Sequence, residues 1–133
     1  MRIKRPDNKD ALSIILESKR QMDFTLSLPV NEGSSFTIVR NIYECFRMLG
    51  DALLVSQGTE ATDHLEPINA LLKLNVDTPR PISTIDNLRR LRHNINYYGY
   101  HPSIAETNDA IDIANSCFWL LLDSIKKKIE EQD

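Results

Sequence analysis

A chain of 133 residues with a net charge of −3 is long enough to bury its own core as one domain, taken as 1–133. It is too acidic to coat nucleic acid through a whole basic face, so any anion binding should be local. No stretch approaches the ~18 apolar residues of a membrane span, and the basic start of the chain does not run into an apolar segment; both point to a soluble, cytoplasmic protein with no membrane partner. Cys45 and Cys117 sit in apolar helical patterns without CxxC or paired-histidine spacing and read as buried small hydrophobes in a reducing compartment.

Glycine and proline are sparse, and apolar residues recur at threes and fours, the pattern of an all-α domain. The first helix is expected from about Asp10 to Ser27, with Leu12, Ile15, Leu16, Met22 and Leu26 inward. Ser34 or Ser35 caps a second helix that runs to Gln57, before Gly58. There Phe36, Val39, Tyr43, Phe46, Gly50 and Leu53 form one seam and Ile38, Ile42, Cys45 and Leu49 a second, so this helix must be covered on two sides. A shorter helix follows from Ala61 to Leu74, with Pro67 a candidate kink, and Pro79 and Pro81 mark the linker after it. Ser83 and Asp86 open a fourth helix that ends near Gly99. Ser103 and Glu106 form a capping box for a long last helix to about Glu130, with a seam through Ile111, Ala114, Phe118, Leu121 and Ile125. The expected architecture is an up-and-down four-helix bundle with an additional short helix, the one that carries the motif described next.

Chemistry concentrates in Arg89-Arg90-Leu91-Arg92-His93-Asn94-Ile95-Asn96-Tyr97-Tyr98-Gly99-Tyr100. At about 100° per residue, Leu88, Leu91, Ile95 and Tyr98 face the core, Arg92 lies on its border, and Asn96, Arg89 and His93 follow in sequence around the helix. Arg90, Asn94 and Tyr97 point further round, toward solvent or another subunit. A partly desolvated guanidinium with an amide and a second arginine beside it suits a phosphate, and the tyrosines Tyr98 and Tyr100 suit stacking on bases. The competing reading is an internal ion pair between Arg92 and a carboxylate of another helix, Glu44, Asp51 or Asp112. Asp63, His64 and Glu66 do not share a helical face, so no metal site is expected, and no phosphate-loop, dinucleotide or nucleophile-elbow motif calls for a cofactor.

The helix order, with an Arg-polar-x-x-x motif just before a long C-terminal helix, resembles the HEPN family (higher eukaryotes and prokaryotes nucleotide-binding domain). Arg92 matches the motif arginine and His93 its polar position, whereas the terminal histidine of the motif is replaced by Tyr97. The resemblance implies a homodimeric bundle whose paired motif helices form a cleft that binds RNA or nucleotide phosphate. The helical geometry and side-chain chemistry offer Arg89, Arg92, Asn96, Tyr98 and Tyr100 as ligand contacts, and the resemblance adds catalytic positions at Arg92, His93 and Tyr97. Active members of the family are metal-independent ribonucleases, toxins or defence effectors, and others partner a minimal nucleotidyltransferase in toxin–antitoxin pairs. A phenol is a poor base at neutral pH, so with Tyr97 in the histidine position catalysis should be weak or absent unless His93 or His101 substitutes. Three readings follow: a binding protein, a ribonuclease, and a structural interaction module whose arginines are paired internally.

Overall fold

The computed structural model describes residues 2–131. Its centre is helix α2, Ser35–Ser56, which meets the expectation of two-sided burial: Val39, Tyr43, Phe46, Gly50 and Leu53 are buried along one seam and Ile38, Ile42, Cys45 and Leu49 along the other. Helix α1 (Asn8–Leu26), helix α3 (Leu65–Leu72), helix α4 (Ile85–Tyr98) and the last helix all pack on it. That last helix comprises α5 (Ile104–Ile113), a π-helical turn over Ala114–Phe118, and α6 (Trp119–Glu131). The chain is thus an all-α bundle, and Phe46 meets Phe118 edge-on at 5.5 Å in its middle. Both cysteines are buried free thiols, and burial pushes Cys45 up to about 12.

Helix α1 starts at Asn8 because the Asp7 carboxylate accepts the Asp10 N–H at 2.9 Å. Its buried stripe is Ala11, Ile15, Ser18, Met22 and Thr25, a run of 4, 3, 4, 3 that mixes small polar residues with apolar ones. The hydroxyls of Ser18 and Thr25 donate to the Ile15 and Gln21 carbonyls, which is what lets them be buried. Leu16, expected inward, is therefore exposed, and Leu12 and Leu26 lie at the core's edge.

Helix α3 is shorter than the periodicity suggested. The Asp63 carboxylate caps it by accepting from the Leu65 and Glu66 N–H groups, and Thr59–Glu60 before it forms strand β2, antiparallel to strand β1 (Arg2–Ile3). Pro67 does not kink α3: it lies in the first turn, where a missing N–H leaves no bond unmade. Gly50 lets the two helices meet there. A Cβ on it would stand 2.1 Å from the Pro67 carbonyl oxygen.

The linker after α3 is clipped to the last helix by Arg80, whose Nη1 donates to Asp109 at 2.7 Å and Asp112 at 3.0 Å. The Cys117 thiol, inside the π turn, faces the Arg80 carbonyl at 3.4 Å. Ser83 does not cap α4, since it falls inside a 3₁₀ turn, Ile82–Thr84, that precedes the helix. Ser103 and Glu106 do form the expected capping box. The motif helix α4, at 14 residues, is not the shortest; α3, at 8, is.

The close approach at Gly50 makes a direct test. Gly50→Ala should lower stability by about 2 kcal/mol or more in denaturant unfolding, the overpacking cost exceeding the ~1 kcal/mol gain in helix propensity. A variant as stable as the parent would show that the α2–α3 contact yields freely.

Candidate functional site

Helix α4 rests on α2 through Ile85, Leu88 and Ile95, its buried residues. Ile95 is the last of them, so the final turn outruns the core. Tyr97 is 69% and Tyr98 75% exposed, which corrects the inward placement of Tyr98. Gly99, with φ of 61°, stops the helix in the left-handed conformation, and the Tyr100 N–H closes it on the Asn94 carbonyl at 3.2 Å. Tyr100 does not join the other rings: its hydroxyl donates to Glu106 at 2.5 Å, a bond that raises the phenol above its ordinary range.

The arginines divide by partner. Arg89 Nε donates to Asp86 Oδ1 at 2.7 Å, and Arg90 Nη2 lies 3.2 Å from Asp86 Oδ2, so two cations share one carboxylate. Arg90 and Asn94 face a groove of about 410 Å³ whose far wall carries Glu106 and Asp109 of α5. Arg92 turns the other way, toward α2. Its side chain is 20% exposed and its guanidinium lies 5.4 Å from the centre of the buried Tyr43 ring.

The amide orientation that satisfies both groups brings Asn96 Oδ1 to 3.1 Å from Arg92 Nε and 3.3 Å from Nη2. Asn96, one turn on, therefore fixes the plane of the guanidinium. Of the three carboxylates expected to compete for Arg92, Glu44 is the one nearby, with Oε1 3.7 Å from Nη2. That separation is a Coulombic contact rather than a hydrogen bond. Asp51 is taken by Arg47 and Asp112 by Arg80. Glu44 itself accepts from Arg47 Nε at 2.8 Å through its other oxygen.

His93, next round the helix, is exposed and stacks on Tyr97 with ring centres 4.6 Å apart; Tyr98 meets the same imidazole edge-on at 5.8 Å. The structure therefore brings Arg92 and Asn96 together, groups His93, Tyr97 and Tyr98 as an exposed cluster of rings on the same helix, and leaves Tyr100 apart. His101 lies in the exposed turn before Ser103. Sequence reasoning missed Tyr43, read only as a core residue; its phenol is pushed up chiefly by burial, against the pull of the Arg92 charge.

No protein-family model, curated protein or solved structure matches the chain. No helix among the described residues is long and apolar enough to cross a membrane.

The Asp86 pairing has a pH signature. Its carboxyl is held below the usual range, first by the Arg89 hydrogen bond, so its contribution is full above the ordinary carboxylate pKa and is lost as pH falls through the lowered value. Asp86→Asn should cost about 0.5–1 kcal/mol at pH 7, a surface-pair magnitude. The gap between variant and parent should close in thermal unfolding as the pH is taken below the ordinary carboxylate range and through the lowered value; a gap that persists into strong acid would mean the carboxylate charge is not what stabilises this turn.

Proposed function

We propose that this chain binds a phosphate-bearing ligand, single-stranded RNA or a nucleotide, along α4, from its border with α2, where Arg92 lies, to its exposed rings. The observation that carries the reading is Arg92: its Nε and one Nη2 hydrogen serve Asn96, and Nη1 has no hydrogen-bond or ion-pair partner among the described residues. A guanidinium held flat by a neighbouring amide, with one edge open, is preorganised for a phosphate. The exposed rings of His93, Tyr97 and Tyr98 lie along the same helix, where bases attached to that phosphate would stack. Arg89 adds positive charge beside them, only partly offset because Asp86 serves Arg90 as well.

The resemblance to the HEPN family adds that two chains pair through this helix, so that the ligand lies in a shared cleft. On this reading catalysis is weak or absent. Cleavage of a phosphodiester without metal needs a base and an acid as well as a cation. The Tyr97 hydroxyl and the His93 ring nitrogens have no hydrogen-bond partner among the described residues to orient or activate them.

Binding of a short single-stranded RNA, followed by fluorescence anisotropy at low salt, tests the proposal. Affinity should fall about tenfold or more in Arg92→Ala and several-fold in Tyr97→Ala, while Tyr97→Phe keeps the stacking surface and the affinity. Affinity should also drop as salt rises, with a slope set by the few phosphates engaged. Absence of binding at low salt, or Arg92→Ala binding like the parent, would overturn the reading. A monomer at micromolar concentration would remove the shared cleft.

A further inference from the structure

Arg92 offers five N–H bonds, and Asn96 uses those on one edge. Glu44 Oε1 stands 3.7 Å from Nη2, close enough to neutralise the guanidinium in part but too far to claim its hydrogen. Glu44 is anchored elsewhere: its Oε2 accepts from Arg47 Nε at 2.8 Å, and Arg47 reaches on through Nη1 to Asp51 at 2.5 Å. Asp51, Arg47 and Glu44 of α2 and Arg92 of α4 form a ladder, Asp51–Arg47–Glu44–Arg92, in which charges alternate and Glu44 is shared between two arginines.

We propose that Glu44 is a built-in competitor for Arg92, a carboxylate that holds the anion position at the guanidinium and that an incoming phosphate must push back onto Arg47. This inference rests on the phosphate-binding reading above and adds what regulates it. The retreat is inexpensive, because the bond to Arg47 survives it and only the longer contact to Arg92 is lost. It also selects. A ligand carrying only a carboxylate meets its equal already in place, whereas a phosphate brings more oxygens and can bridge Nη1 and Nη2 together. Arg47 sets the threshold: because Asp51 draws on the same guanidinium, Arg47 does not fully neutralise Glu44, and the remaining charge is directed at Arg92.

The test is a double-mutant cycle with the same single-stranded RNA, on variants whose thermal unfolding shows them folded. Glu44→Gln keeps the shape of the side chain and removes its charge, and should bind about two- to fivefold more tightly than the parent, the size expected of a partly exposed ion pair. The gain should vanish in the Arg92→Ala background, which separates competition at Arg92 from the general attraction that any lost negative charge would give. Arg47→Gln, read independently, should weaken binding about threefold by releasing Glu44 fully to Arg92.

Binding in Glu44→Gln that is unchanged or weaker, with Arg92 still required, overturns the competitor and leaves phosphate binding standing. A gain that persists without Arg92 also overturns it. If the parent itself binds independently of Arg92, the phosphate reading fails and the competitor with it. Should Glu44→Gln not fold, Arg47→Gln is read with and without Arg92: a loss of binding that appears only when Arg92 is present supports the proposal, and tighter binding, or a loss of the same size in the Arg92→Ala background, overturns it.

Discussion

Two-sided burial of α2 is the constraint from which the rest of the molecule follows. A helix with two apolar seams cannot rest against a single neighbour, so α1, α3, α4 and the last helix must all find room around it. Each large apolar side chain that α2 buries contributes roughly 1.5–3 kcal/mol, which makes its surroundings the bulk of the core. Gly50 sets how closely α3 can lie, and the buried Tyr43 ring faces the Arg92 guanidinium of α4. The candidate site inherits its geometry from the same helix: Glu44 and Arg47, polar residues on its less buried side, are the ones that reach Arg92 and Asp51.

What could be read from the sequence tracks the range of the interaction involved. The two α2 seams, the Ser103–Glu106 box, the end of α4 at Gly99 and the adjacency of Arg92 and Asn96 all depend on residues within a turn or two, where 3.6-residue periodicity and capping chemistry suffice. The Arg80 clip and the short β1–β2 pair depend on contacts across about 30 residues or more, to which local pattern is blind. Leu16 and Tyr98 failed for related reasons. On α1, hydroxyls satisfied by their own backbone took the core positions that a hydrophobicity count assigns to leucine; on α4 the core ended one turn before the helix did.

The contest over Arg92 was legible as a contest, though not in its outcome. Sequence placed a guanidinium at the core border and named three carboxylates that could neutralise it, but only packing decides which are spent elsewhere. Asp51 and Asp112 prefer arginines of their own, and Glu44 is held by Arg47 at hydrogen-bond distance while Arg92 receives only its field. A fully satisfied pair would have made Arg92 a structural cation. A missing one would have left it partly desolvated and unpaired, an expensive state.

The intermediate arrangement has a consequence for the chemistry the site can support. Partial neutralisation by Glu44 lets Arg92 remain ordered at the edge of the core, and Asn96 and Tyr43 hold its plane, so the entropic cost of arranging the guanidinium is met by the fold before any anion arrives. Orientation of this kind favours binding. Rate acceleration asks for the same precision in a proton donor and acceptor, and here the exposed titratable side chains that follow Arg92 on the helix are rings packed on one another, His93 on Tyr97 and Tyr98, rather than groups aimed by hydrogen bonds. Preorganisation is thus concentrated on the cation, which is why the proposal made for α4 is one of gripping a phosphate and stacking its bases rather than of driving the phosphate's cleavage.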